Sequence, residues 1–73
     1  MANLIIDVET HDVNKLMGRL KRLKSTINVE NGGMYRMGME YSQVWLETTK
    51  SLEEVEEWLW RYSNCDYVGA VAR

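Results

Sequence analysis

The sequence predicts a small α+β domain in which a mostly antiparallel sheet of four to five strands carries two amphipathic helices on one face. Two observations lead to this fold class. Several short segments alternate apolar and polar residues, which is the period of a half-buried strand, and two longer segments repeat apolar residues every three or four positions, which is the period of a helix. These segments follow one another as strand, helix, strands, helix and strand, and 73 residues leave room for a single domain, residues 1–73.

The first strand and the first helix are predicted over residues 2–9 and about 11–24. Thr10 or Asp12 is placed to cap the helix, since a short polar side chain can accept a hydrogen bond from an unpaired backbone N–H of the first turn. The inward side of the strand consists of Leu4, Ile6 and Val8, and the apolar stripe of the helix consists of Val13, Leu16, Met17, Leu20 and Leu23.

The segment after the first helix is predicted to reverse direction. Residues 26–30 alternate, with Ile27 and Val29 directed inward. Asn31-Gly32-Gly33 supplies the residues that a tight hairpin turn with positive φ requires. Residues 34–48 continue with a period of two, which predicts two strands or one long bent strand.

The second helix has the clearest start in the chain. Ser51 and Glu54 have the spacing of a capping box, in which each side chain accepts a hydrogen bond from the backbone N–H of the other residue. The apolar stripe that follows consists of Leu52, Val55, Trp58, Leu59 and Tyr62. A turn over residues 64–66 and a last strand over residues 67–72 complete the prediction, with Val68, Ala70 and Ala72 inward.

This order of elements resembles the ferredoxin-like split βαβ plan, and the resemblance extends over nearly the whole chain as a pattern of strands and helices. Many unrelated functions use that plan, so the resemblance implies a fold and no particular activity. Function has to be inferred from individual residues.

Composition narrows the classes of protein to consider. The formal net charge is -2 and the sequence pI is about 5.3. No segment has the ~20 apolar residues that a membrane span needs, so we expect a cytoplasmic protein without a membrane partner. Cys65 is the single cysteine and His11 the single histidine, which excludes an internal disulfide and leaves few ligands for zinc; we expect neither a metal nor a cofactor.

An enzyme is not expected either. His11 and Asp12 are a candidate pair of general base and carboxylate, but side chains of sequence neighbours at a helix start usually point apart. Cys65 precedes Asp66 and lacks the positive surroundings that lower the pKa of a thiol. No phosphate-binding loop is present, because Asn31-Gly32-Gly33 lacks the glycine spacing and the Lys-Ser/Thr pair of such loops.

Two tryptophans favour a protein-interaction module of the inhibitor or adaptor type. On a helical wheel Trp60 falls opposite the apolar stripe, and Trp45 alternates with inward neighbours on its strand and so faces away from the helices. Tryptophan mixed with charge is typical of binding hot spots, and carboxylates would steer a partner with a basic surface. In size and chemistry the chain is comparable to small bacteriophage proteins that act on host proteins. The predicted binding residues are Trp60, Glu53, Glu56 and Glu57 on the second helix, and Trp45 and Glu47 on the open sheet.

Three alternatives stay open at this stage. Each tryptophan can instead pack against its own fold. A two-fold homodimer can form if Trp45, Ile5 and Tyr67 cover an equivalent face of a second copy. A nucleic acid can bind the basic side of the first helix, although the acidic balance of the chain counts against it. The residues predicted for that nucleic-acid surface are Lys15, Arg19, Lys21 and Arg22.

Overall fold

A computed structural model describes residues 1–65 and 68–73. The strands and helices run in the order β1 (Ala2–Glu9), a short 3₁₀ helix (Thr10–Asp12), α1 (Val13–Lys21), β2 (Thr26–Met37), β3 (Met39–Thr48), α2 (Leu52–Tyr62) and β4 (Gly69–Ala72).

Within the described residues, four strands form one antiparallel sheet in the order β2-β3-β1-β4. The α+β fold with an antiparallel sheet and two helices is therefore confirmed. β1 is central and pairs with β3 on one side and β4 on the other, whereas β2 and β4 are the edge strands. No helix in the described part of the chain is both long and apolar enough to cross a bilayer.

The hydrophobic core lies between the helices and one face of the sheet. Alternate residues of β1 and β3 point to this face, and both helices direct apolar residues against it, as predicted. The predicted inward position of Tyr62 is wrong, because this side chain at the end of α2 is 59% exposed. Burial of each such aliphatic side chain is worth about 1.5–3 kcal/mol, so this cluster is the main source of stability. The buried apolar residues of this core are Leu4, Ile6, Val8, Val13, Leu16, Leu20, Val44, Leu46, Val55 and Leu59.

The predicted start of α2 is confirmed. The backbone N–H of Glu54 donates to Ser51 Oγ at 3.2 Å, and the backbone N–H of Ser51 donates to Glu54 Oε1 at 3.2 Å. These two hydrogen bonds satisfy donors that would otherwise lack partners at the end of the helix. The start of α1 differs, because Asp12 occupies the N-cap position but its side chain makes no capping hydrogen bond.

The predicted hairpin turn at Asn31-Gly32-Gly33 is wrong. Asn31 pairs with Val44 and Gly33 pairs with Gln43, so Gly32 is an extra residue in a bulge within β2. The chain reverses instead at Gly38, which has a φ of 78° and lies between the paired residues Met37 and Met39. The physical reason is that both a turn and a bulge use glycine at positive φ, and Gly33 has a φ of 117° inside the bulge.

The predicted inward position of Ile27 is also wrong. The register shifts between Thr26 and Asn28, and the side chain of Ile27 at this irregularity is 50% exposed. Val29 is opposite Leu46 and packs against the core, as predicted. The two predicted segments on either side of the glycines therefore form one strand, because a bulge lets the pairing with β3 continue.

Candidate functional site

The most exposed aromatic side chain among the described residues is that of Trp60 on α2. Its exposed fraction is 86%, whereas Val55 and Leu59 on the same helix are buried. The outward direction predicted from the helical period is therefore confirmed. An indole of this size left in water is unusual for a small domain, because aromatic side chains are the ones that gain most from burial.

Trp60 lies beside a groove between α2 and β4 that has a volume of about 730 Å³. The acidic side chains predicted to accompany Trp60 line the same groove, so the structure brings this part of the predicted site together. Apart from Leu59 of α2, the remaining lining comes from residues after α2, and it was not predicted because only the pairing of β4 with β1 brings those residues beside the helix. The groove is lined by Glu53, Glu56, Glu57, Leu59, Trp60, Cys65, Val68, Gly69 and Ala70.

The wall that α2 contributes to the groove is acidic. Glu57 Oε1 lies 3.1 Å from Arg61 Nη2, one turn further along the helix. Glu53 and Glu56 are exposed and form no ion pair with any described residue. The wall therefore combines an exposed indole with two carboxylates that no described cation pairs with, which suits a partner carrying positive charge.

The opposite wall is the free edge of the sheet. β4 pairs with β1 on one side, and no described strand pairs with its other side. Its residues Gly69–Ala72 carry no charge, and Val71 is 53% exposed. Edge strands commonly carry charges or proline that block pairing with another chain, and this edge has neither.

Trp45 and Glu47, also predicted as binding residues, lie elsewhere. Both are on the face of the sheet that the helices do not cover, where Trp45 is opposite Ile5. The guanidinium carbon of Arg73 lies 4.6 Å from the Trp45 ring centroid, and the ring packs against the backbone of Gly32 in the bulge of β2. Trp45 is therefore half-buried within its own fold and is not the freely exposed indole that the strand period predicts.

The environment of Trp45 also bears on the predicted dimer face. Tyr67, which the sequence groups with Ile5 and Trp45, lies outside the described residues, as does Asp66 of the predicted turn. Further along the same open face, the Tyr35 and Tyr41 rings stack with centroids 5.7 Å apart. Tyr35 Oη donates to Asp7 Oδ1 at 3.0 Å, and partial desolvation together with this carboxylate raises the pKa of Tyr35.

The basic residues predicted for nucleic-acid binding are divided by the structure. Lys15 Nζ donates to the backbone oxygen of Asn64 at 2.8 Å, and Arg19 Nη1 donates to the backbone oxygen of Tyr62 at 2.9 Å. Both cations thus lie at the end of α2, where the helix dipole places partial negative charge and the last carbonyls lack helical partners. Lys21 and Arg22 are exposed at the end of α1. The four residues do not form one free basic surface.

The expectation that His11 and Asp12 point apart is wrong. His11 Nε2 lies 3.4 Å from Asp12 Oδ2 and 3.4 Å from Glu9 Oε2. The reason is the 3₁₀ helix between β1 and α1, whose tight turn carries these side chains to one side. Glu9 was not singled out in the sequence, because its position in β1 assigns it to the open face.

Cys65 lies in the groove and is half-buried. Desolvation, and after it the negative charge of Asp12, raises the pKa of the thiol. Its Sγ donates to the backbone oxygen of Ser63 at 3.4 Å. The thiol is therefore kept mainly protonated at neutral pH, in contrast to the thiolate that a nucleophilic cysteine needs.

No protein-family model matches the chain, and no curated protein or solved structure is significantly similar to it. The chemistry of the groove and its surroundings is thus the basis on which a function can be proposed.

Proposed function

We propose that the chain is a non-enzymatic protein-interaction module, of the inhibitor or adaptor type, that binds a basic segment of a partner protein in the groove between α2 and β4. The observation that carries this proposal is the position of Trp60. Its indole is 86% exposed at the rim of a groove of about 730 Å³, next to Glu53 and Glu56, which form no ion pair among the described residues.

The energy for binding comes mainly from the indole. Aromatic side chains bury about 150–250 Å² each, which at about 25 cal/mol per Å² is worth about 4–6 kcal/mol before the entropic costs of association. A central tryptophan that fills a pocket or covers a partner side chain is the commonest kind of hot spot. Trp60 is already held on a helix, so little order has to be imposed on it when the partner binds.

The acidic wall and the strand edge define the chemistry of the partner. Glu53 and Glu56 favour Lys or Arg side chains and would orient them along α2. The unpaired N–H and C=O groups of Gly69–Ala72 can accept an extended segment as an additional strand, which is a common mode of peptide recognition. The best match is therefore an extended segment in which basic residues alternate with apolar ones.

We further propose that the fold is the ferredoxin-like split βαβ plan. The strand order β2-β3-β1-β4 supports this assignment, because β3 lies between β1 and β2 and β1 lies between β3 and β4. Each helix then connects two strands that are parallel to one another and separated by a third. This arrangement leaves the edge of β4 beside α2, where the groove is found.

The test is selection of a library of random short peptides on the immobilised chain, followed by fluorescence anisotropy with the selected peptides. We expect these peptides to be basic and to bind Trp60→Ala at least about tenfold more weakly than the parent chain, since hot-spot truncations cost about 2 kcal/mol or more. Glu56→Gln should weaken binding by a smaller factor that falls at high salt, because an exposed ion pair is worth about 1 kcal/mol or less. Tyr62→Ala removes another exposed aromatic from α2, and Glu30→Gln removes a carboxylate from β2; both serve as matched controls.

The proposal is wrong if the selected peptides carry no excess of basic residues, or if Trp60→Ala binds them as tightly as the parent chain does. Because Trp60 is exposed, its removal leaves the core intact, and circular dichroism of the variant checks this. Light scattering over a range of concentrations separates peptide binding from formation of a homodimer. Binding that survives Trp60→Ala but depends on dimerisation would favour the open-sheet face instead.

A further inference from the structure

A second cluster of polar side chains lies where β1 meets α1, and it is independent of the groove. The 3₁₀ helix Thr10–Asp12 brings together the carboxylate of Glu9, the imidazole of His11 and the carboxylate of Asp12. Their donor atoms all lie within 4.8 Å of one another. His11 Nε2 is the common neighbour, at 3.4 Å from Glu9 Oε2 and at 3.4 Å from Asp12 Oδ2.

The burial of the two carboxylates is the unusual feature of this cluster. The side chain of Glu9 is 5% exposed and that of Asp12 is 12% exposed, whereas that of His11 is 69% exposed. No described residue donates a hydrogen bond to the Glu9 carboxylate; its polar neighbour is His11. Burying a carboxylate is costly unless a cation or a donor compensates its charge, and among the described residues the polar group that faces Glu9 is the imidazole of His11.

The nearby cation, Lys15, pairs with the oxygen of Asp12 that faces away from His11. Lys15 Nζ lies 3.4 Å from Asp12 Oδ1, which is the carboxylate oxygen that does not face His11. The same ammonium donates to the backbone oxygen of Asn64 at 2.8 Å, which holds it at the end of α2. Lys15 can therefore orient the Asp12 carboxylate, while Asp12 Oδ2 stays directed toward His11 and Glu9. Hydrogen-bonding partners of this kind commonly orient the ligands of a metal ion.

We propose that Glu9, His11 and Asp12 form a binding site for a divalent metal ion, and that Zn²⁺ is the ion they fit best. In tetrahedral zinc sites the bonds to His nitrogen and carboxylate oxygen are about 2.0–2.2 Å, which places neighbouring donor atoms about 3.3–3.6 Å apart. Two of the three donor pairs, those that include His11 Nε2, match this spacing at 3.4 Å each, and the third pair, of Glu9 and Asp12 oxygens, lies within 4.8 Å. A set of one imidazole and two carboxylates also suits zinc, and three protein ligands leave one position for water.

The sequence alone led to the opposite expectation, because zinc sites are usually recognised by pairs of Cys or His at fixed spacings. Here the spacing that matters is Glu-x-His-Asp across the junction of a strand and a 3₁₀ helix. In an extended strand Glu9 and His11 would share a face and Asp12 would point away. The tight turn after Glu9 changes the direction of Asp12 and completes the set.

Isothermal titration calorimetry with Zn²⁺ alone tests the proposal. We expect one Zn²⁺ per chain and a melting temperature that rises with the Zn²⁺ concentration, because a ligand that binds only the folded state stabilises it. His11→Ala and Glu9→Gln are expected to weaken Zn²⁺ binding at least about tenfold, as removal of metal-site partners commonly does. Glu30→Gln, an exposed carboxylate on β2, and Cys65→Ser, which removes the single thiol, are expected to leave the affinity unchanged.

The exposed position of His11 keeps this test decisive even if Glu9→Gln fails to fold. Since the chain has one histidine, its imidazole NMR signals are unambiguous, and we expect them to shift on addition of Zn²⁺. Absence of Zn²⁺ binding to the parent chain would overturn the proposal. So would Zn²⁺ binding that is unaffected by His11→Ala, or binding that is lost in Cys65→Ser.

Discussion

Replacing Gly32 by alanine places a methyl group where the structure holds the indole of Trp45. A Cβ built on Gly32 would lie 2.2 Å from Trp45 Nε1 and 2.4 Å from Cδ1, both far inside van der Waals contact. The backbone cannot move away easily, because the residues on either side of Gly32 are paired with β3. The indole therefore has to move, and it loses its packing against the bulge and against Arg73.

The expected cost of Gly32→Ala is about 1–3 kcal/mol, which is the range for overpacked sites that force a side chain to shift. For a domain of this size, each kcal/mol lowers the melting temperature by about 4–8 °C. A loss of about 2 kcal/mol would thus lower it by about 8–16 °C, a large effect for the addition of one methyl group.

Gly18→Ala is the matched control, since it makes the same chemical change with the opposite expected sign. Gly18 lies inside α1, and a Cβ at this position meets no atom within 4 Å. Alanine is favoured over glycine in a helix interior by about 1 kcal/mol, because glycine loses more backbone freedom on folding. Gly18→Ala should therefore stabilise the chain by about this amount.

Urea denaturation followed by circular dichroism at the helix minimum measures both free energies of unfolding. An unchanged slope of the transition shows that the variants differ in stability and not in the surface exposed on unfolding. The reasoning about Trp45 would be refuted if Gly32→Ala had the same transition midpoint as the parent chain. A fall in midpoint for Gly18→Ala would equally show that α1 does not have the open surroundings described.

Further expectations concern the helix ends and the thiol. Ser51→Ala removes an N-cap and should cost about 1 kcal/mol in urea denaturation; an unchanged midpoint would contradict the capping box. Hydrogen bonds from Ser51 lower the pKa of Glu54 below its ordinary value of 4.5. The stabilisation by this carboxylate is therefore complete above that pH and is lost as the pH falls through the lower pKa of the folded state. Glu54→Gln should reduce the pH dependence of stability on the acid side, and an identical acid profile would refute this. Arg19→Gln should lower the free energy of unfolding by about 0.5–1 kcal/mol, because it removes a cation that donates to the Tyr62 carbonyl at the end of α2. This loss should be smaller in high salt, and a loss that did not depend on salt would exclude an electrostatic origin. Burial raises the pKa of Cys65, so iodoacetamide should alkylate the folded chain more slowly at pH 8 than the urea-unfolded chain, and equal rates would contradict it.

Local features of the sequence were sufficient for much of the fold. The two helices and the inward faces of β1 and β3 could be predicted because burial on one side imposes a period of 3.6 or 2 on the chain, whatever the partner elements are. The capping box at Ser51 and Glu54 could be predicted because both hydrogen bonds connect residues three positions apart. The outward direction of Trp60 follows from the same helical period.

Pairing over long distances decided the rest. Both glycine segments between the helices suit a reversal of the chain, and only the register of β2 against β3 makes Gly32 a bulge and Gly38 the turn. Likewise, the alternation along β3 places Trp45 on the side away from the helices, where a residue would be exposed, but the bulge of β2 and Arg73 cover it.

The candidate sites show the same division. The sequence by itself determined that Trp60 and its acidic neighbours share one side of a helix. Only the tertiary structure placed the edge of β4 across from them, directed Lys15 and Arg19 to the end of α2, and gathered the side chains of Glu9, His11 and Asp12. The physical reason is that periodicity reports which side of one element is buried, whereas the distances between elements depend on strand order, register and the turns that join them.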